Sequence, residues 1–287
     1  MSNQPATDTA TRRYDRWRLF VGFYDVRVDY AFRDRPLDDV ELEVLRLVLS
    51  SFRDGSGQVV RPNGGTMPGF RDYERGLAAV LHASAPENKG VFDVIVPVDG
   101  DKSFGISCKM ATTPPAKHAS SFMELSNSAA QFRQALLAQQ INWATEPGLA
   151  GPAIVRLVTG WHDATADTHQ LDLPASKYSV LAHNPSWTQF QLLCFPLDLQ
   201  IANPVGEVEW LHEGASLNGY IDDGGRRHRL WQCYMNSGGQ LKYYPLLRWA
   251  DWVTEPFTLE LPPVASPILR ARDYFNEVWP HGWDDRN

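Results

Sequence analysis

Apolar and polar positions alternate along this chain with two different periods, and the change of period marks its elements. "PLDDVELEVLRLVLSSFR" (36–53) has helical spacing: Val40, Val44, Leu45, Leu47 and Val48 recur every three or four residues. Pro36, Asp38 and Asp39 suit its first turn. "FRDYERGLAAVLHAS" (70–84) predicts a second helix, after the Gly/Pro-rich loop "DGSGQVVRPNGGTMPG" (54–69). "GVFDVIVPVDGDKSFGISCKMATT" (90–113) then reads as two strands joined by a short polar turn.

"SSFMELSNSAAQFRQALLAQQINWA" (120–144) predicts one long helix, because Phe122, Leu125, Ala129, Phe132, Leu136 and Ile141 recur at helical spacing. "PAIVRLVTGW" (152–161) reads as a strand, and "GWHDATADTH" (160–169) as a surface loop. Beyond about 170, "KYSVLAHN", "TQFQLLCFPLDL", "GEVEWLHE", "RRHRLWQCYM" and "LKYYPLLRWADWV" are short strand patterns. "SPILRARDYFNEVW" (266–279) predicts a closing helix with Ser266 as its cap. Near the start, "RWRLFVGFYDVRVDYAF" (16–32) suggests a strand, and residues 1–13 a flexible tail. The pattern predicts one compact domain, with a mixed α/β core over 36–200 and a β-rich region over 201–287.

Composition narrows the class. The 287 residues are 43% hydrophobic and 21% charged, enough for a substantial core. A net charge of −7 argues against a protein that coats nucleic acid indiscriminately. It is compatible with an enzyme that has a local positive cleft and a carboxylate metal site. Cys108, Cys194 and Cys233 lie far apart and form no CxxC pair, so a disulfide framework and a structural zinc site are not expected. With no apolar leader and no membrane-length run, a reducing cytoplasm is the expected compartment. GxSxG, GxxxxGK and GxGxxG motifs are all absent.

Candidate chemistry concentrates on the two strands of 90–113. Asp93 stands among apolar neighbours in "VFDVIVPV", and a carboxylate there must be hydrogen-bonded, paired or bound to metal. Strand alternation in "FGISCK" puts Ser107 and Lys109 on one face. If the strands pair through the "DGDK" turn, Asp93 and Lys109 lie near the same end of the hairpin. Glu124, early in the expected helix, then converges on them. Two carboxylates suit a hard dication, and a lysine suits the steering of an attacking water onto a phosphodiester. The same residues allow plainer roles: Asp93 and Lys109 neutralising each other, Glu124 serving the helix N-terminus, Glu74 solvated on its helix.

Asp93 followed by a strand bearing Ser107-Cys108-Lys109 resembles the PD-(D/E)xK nuclease superfamily, which includes most type II restriction endonucleases. The family places Asp or Glu where this chain has Ser107. A branch cutting CCGG-type sites is similar in carrying Ser there and taking the acid from the following helix. Fourteen residues separate Lys109 from Glu124, within that branch's spacing. The resemblance covers about residues 70–140 and implies a restriction-endonuclease-like mixed β-sheet flanked by helices. It implies Asp93 and Glu124 as Mg²⁺ ligands, Lys109 as the catalytic lysine, Ser107 as the vacated acid position, and Glu74 as a further ligand. It also implies double-stranded DNA as substrate and a homodimer or homotetramer. The branch's arginine pair after the lysine is replaced by Lys117 and His118, so a CCGG target does not carry over.

Arg226, Arg227 and Arg229, in the run "GGRRHRLWQCY", are candidate DNA contacts, with Lys242 and Lys117 beside them. A solvated hairpin accounts for the same run. Arg12, Arg13, Arg16 and Arg18 suit a DNA-contacting arm or a soluble tail. Two other functions remain open: a non-cleaving DNA-binding protein on a nuclease-like scaffold, and a repair or structure-specific nuclease.

Overall fold

The computed structural model describes residues 29–62, 65–87, 90–100, 102–112, 123–126, 128–199, 208–236, 238–263 and 267–280. The tail, most of the 16–32 strand, the arginines before residue 20 and Lys117 lie outside the described residues.

Helix α1 (Asp39–Ser51) opens on a reciprocal cap. Asp38 Oδ1 accepts the Glu41 N–H and Glu41 Oε2 accepts the Asp38 N–H, both at 2.8 Å. Helix α2 (Phe70–Val80) is started by buried Asp72, whose Oδ2 accepts the N–H groups of Gly69 and Gln58 at 2.9 and 2.8 Å. Both helices pack on one face of a five-stranded sheet.

That sheet contains β3 (Val94–Val96), β4 (Phe104–Thr112), β6 (Lys177–His183), β7 (Phe190–Pro196) and β12 (Trp252–Val253), in the order β12-β7-β6-β4-β3. A separate two-stranded hairpin, β1 (Val59–Val60) with β2 (Thr66–Met67), precedes α2. β3 and β4 are antiparallel, β4 and β6 parallel, and β6 and β7 antiparallel. Ser84 bridges Ile95 antiparallel on the far edge. The parallel step from β4 to β6 requires a crossover, carried by α3 (Ala129–Ala138) and α4 (Pro147–His169).

A second sheet has the order β5-β11-β10-β9-β8. Its strands are β5 (Met123–Ser126), β8 (Glu209–Glu213), β9 (Ser216–Asp223), β10 (Arg226–Tyr234) and β11 (Leu241–Tyr243). Two cores result. Leu45, Leu49, Tyr73 and Leu77 of α1 and α2 meet Val94, Phe104, Ile106, Cys108 and Leu181. On the opposite face, Tyr178, Val180 and Ala182 meet Phe132, Ile154 and Val158, which in turn meet Leu217, Trp231 and Tyr243 of the second sheet. Helix α4 therefore shares one core with both sheets. A short helix, α5 (Pro267–Tyr274), closes the described chain.

Three expectations are corrected. The 120–144 helix divides into strand β5 and the shorter α3, because 123–126 pairs with β11. Residues 152–161 are the middle of α4 rather than a strand. Buried positions along α4 (Ala150, Ala153, Ile154, Val158, His162) follow helical spacing, which a short apolar run does not reveal by itself. Residues 160–169 are the last turns of that helix rather than a loop. Strand β9 has no counterpart among the expected elements. Its Gly219 lets Trp210 and Trp231 approach the backbone, where a Cβ would lie 3.2 and 3.1 Å from their rings. β5 joins the second sheet from the first half of the chain, and β12 returns to the first sheet from the second half, so the two regions interleave.

Candidate active site

Asp93 lies at the residue where β3 begins to bend away from β4. Its N–H still donates to Ile106 O at 2.9 Å. One step further, a side chain takes over from the backbone: Asp93 Oδ2 accepts the Cys108 N–H at 2.8 Å and lies 3.5 Å from Ser107 Oγ. The Val94–Ile106 register, continued by one residue, sets Asp93 opposite Ser107. Lys109 follows Ser107 by two residues and shares its face. Ser107 is fully buried and Lys109 half-buried.

The parallel neighbour β6 places Tyr178 beside Ser107 and Val180 beside Lys109. Tyr178 OH and His162 Nε2 of α4 share a hydrogen bond of 3.1 Å. Burial, helped by the charge of Lys109, pushes His162 down to about 4, so its ring is neutral at pH 7. Burial likewise raises the Tyr178 phenol far above its ordinary value. The sequence marks His162 only as part of the "GWHDATADTH" cluster. That cluster does not converge: His162 is buried against Tyr178 while Asp163 and Asp167 are exposed on the same helix. Tyr178 carries no sequence signal, since its position beside Ser107 depends on a parallel register invisible in the chain order.

Glu74 is 5% exposed on α2, with Oε2 3.0 Å from Arg71 Nη1. Tyr73, the preceding residue, shares a 2.6 Å hydrogen bond with Ser179. Burial chiefly, then the nearby Cys108, Cys194 and Asp93, holds its phenol protonated.

Glu124 is not where the expected helix would have put it. It stands on β5, opposite Lys242 of β11. Its neighbour Met123, opposite Tyr243, is buried in the core shared with α4. Strand alternation then turns Glu124 to the other face of the second sheet, away from the core that Lys109 faces. Among the described residues, no three His, Cys, Asp or Glu side chains form a group that could hold a metal ion. The structure thus brings together Asp93, Ser107 and Lys109, and leaves Glu124 outside that set.

The basic run of β10 is exposed and follows a turn in which Gly224 and Gly225 have φ of 63° and 86°. Gly225 N donates to Asp222 Oδ1 at 2.7 Å. Arg227 lies 4.0 Å over the Tyr220 ring and is paired with Glu209 at 2.9 Å. Arg229 lies 4.8 Å over Tyr244, and Lys242 5.2 Å over Tyr234. Acidic partners interleave with this strip, including Asp223 bound to Arg248 at 2.6 Å. The surface is a row of cation–tyrosine pairs rather than a uniformly positive patch.

All three cysteines are buried and free, and burial pushes the Cys233 thiol up to about 12. Among the described residues, no helix is long and apolar enough to cross a membrane. No known protein family, curated protein or solved structure matches the chain.

Proposed function

We propose that the chain is a cytoplasmic, Mg²⁺-dependent endonuclease acting on double-stranded DNA, on a sheet of the restriction-endonuclease type. The observation that carries this reading is the alignment of Asp93, Ser107 and Lys109 on one face of the β3–β4 pair. The order around it supports the same reading: a helix bearing buried Glu74, an antiparallel strand pair, a helical crossover and a parallel strand. This is the order that the resemblance to PD-(D/E)xK nucleases implies.

The resemblance would have Asp93 and Glu74 hold a hard dication, because Mg²⁺ keeps several waters and needs few protein oxygens, while α2 itself packs on the face of the sheet opposite Ser107 and Lys109. Bound there, the ion supplies a water of lowered pKa and neutralises charge developing on the phosphate. The protein's own part is positioning. The Cys108 N–H fixes one oxygen of Asp93. Lys109 stands on the face of β4 that Ser107 shares, and this reading gives it the task of orienting the attacking water and stabilising the phosphorane. Cutting both strands of a duplex suits two copies related by two-fold symmetry, hence a homodimer or homotetramer.

A second reading, a DNA-binding protein without cleavage, is favoured by Glu124 facing Lys242 while Ser107 occupies the acid position. Incubation with plasmid and Mg²⁺ separates the readings. Discrete bands support a restriction enzyme, a smear or nicking a repair or structure-specific nuclease, and intact, retarded DNA the binding protein. Lys109→Ala abolishes cutting and leaves DNA binding in place; undiminished cutting would remove Lys109 from the site. Glu124→Gln leaves cutting intact, and loss of cutting on that change alone would restore Glu124 as a ligand.

A further inference from the structure

A cavity of about 380 Å³ opens between α4 and the segment leaving β7. Its walls are mainly apolar: Leu173, Pro174, Pro196, Leu197 and Leu199. His162 lines it from α4 and is only 3% exposed. One ring nitrogen, Nε2, is taken by Tyr178, which is fully buried and does not line the cavity. The other, Nδ1, has no hydrogen-bond partner among the described residues. Nothing in the proposed cutting chemistry uses this cavity.

The tautomer of His162 follows from its neighbour. Burial keeps both rings uncharged at pH 7. Tyr178 has His162 Nε2 as its one side-chain hydrogen-bond partner among the described residues, so its hydroxyl proton is satisfied by donating to that nitrogen. The proton of a neutral imidazole then sits on Nδ1. The cavity therefore holds a single buried N–H donor that the described chain leaves unpaired, set among apolar walls of small-molecule size. Among the described residues no lysine or arginine lines it, so an entering anion would lose its hydration without gaining a counter-ion. Asp163 and Asp198, exposed on the lining, add repulsion.

We propose that this cavity binds a small neutral molecule with a compact apolar body and a carbonyl group, the body between Leu173, Pro174 and Leu199 and the carbonyl oxygen accepting the His162 Nδ1–H. The assignment does not rest on the nuclease reading, and either can fail without the other.

Magnetic-resonance titration of the full chain, carrying isotopically labelled histidine, tests it with three probes that share a phenyl body: acetophenone, ethylbenzene and benzoate. The free chain at pH 7 shows the His162 ring proton on Nδ1; a proton on Nε2 overturns the proposal. Acetophenone shifts the His162 ring signals and saturates them, with a dissociation constant of roughly 1 mM or below. Ethylbenzene, without the acceptor, binds about fivefold more weakly, and benzoate more weakly still. Ethylbenzene or benzoate binding as tightly as acetophenone overturns the proposal, and so does the absence of saturation. His162→Phe identifies the ring signals by their loss and removes the preference for acetophenone over ethylbenzene, read from the probes' own signals. Leu173→Trp fills the cavity and abolishes binding of both. A preference that survives the first change, or binding that survives the second, places the site elsewhere and overturns the assignment. Far-ultraviolet dichroism of the variants separates a lost site from a lost fold, and the order of the three probes on the unaltered chain needs no variant.

Discussion

Asp93 Oδ2 accepts the Cys108 N–H at 2.8 Å, so a carboxylate completes the β3–β4 ladder where the backbone of β3 turns away. The bond gives Asp93 a structural task beside its proposed chemical one, and the two are separable. Asp93→Asn keeps an acceptor for the N–H and costs less than about 1 kcal/mol. Asp93→Ala leaves a backbone donor unsatisfied at a buried residue and costs about 1–3 kcal/mol. Both lose Mg²⁺-dependent cutting. Urea denaturation checks the difference; equal stability of the two variants would show that the bond contributes nothing.

The arginines of β10 differ in how far they are already engaged. Arg227 is held by Glu209, whereas Arg229 is stacked on Tyr244 with no carboxylate within ion-pair distance among the described residues. Arg226→Ala and Arg229→Ala should each lower the slope of log affinity against log salt by about 1 on duplex DNA with Mg²⁺ withheld. Arg227→Ala should lower it less. Unchanged slopes for all three would remove the second sheet from the DNA interface.

His162 predicts an acid-labile core. Its folded pKa, about 4, lies below the ordinary 6.5. Between these values the unfolded chain takes up a proton that the folded chain refuses. The stability from burying the neutral ring is therefore complete above pH 6.5 and is lost as pH falls towards 4. The loss amounts to roughly 2–3 kcal/mol. His162→Gln, which keeps an acceptor for the Tyr178 hydroxyl, should flatten that part of the stability profile. A wild-type profile already flat from pH 6.5 to 4 would show that the ring is not buried against Tyr178.

Helix α4 packs on the second sheet through a glycine. A Cβ at Gly151 would lie 1.9 Å from Trp210 Cδ2, so Gly151→Ala forces apart α4 and β8. Overpacking of this kind costs about 1–3 kcal/mol. Gly160, on the same helix, has nothing within 4 Å of the place a Cβ would take, and Gly160→Ala should stabilise by about 0.5–1 kcal/mol. Thermal denaturation of the pair reads both signs. Equal shifts would mean that Trp210 does not rest on Gly151.

The chain order alone determined what short-range chemistry can specify. Asp38 and Asp39 in a first turn and the apolar spacing of 36–53 announced α1. Its buried apolar residues are nonetheless Leu45 and Leu49, while Val40, Val44 and Leu47 of the expected apolar face are exposed. The alternation through 104–110 announced β4 with Ser107 and Lys109 on one face. Glu74 on a helix before those strands was legible for the same reason. Tertiary structure decided the rest. Residues 123–126 are a strand because β11, more than a hundred residues later, supplies backbone partners, and that pairing turned Glu124 towards Lys242. Residues 152–161 are helical because their apolar side chains fill a core between two sheets, a requirement that a short apolar run satisfies in either conformation. Local propensity marks an element only where one period is unambiguous. Elsewhere the distant partner that buries its side chains or pairs its backbone chooses the conformation, and with it the direction in which a candidate ligand points.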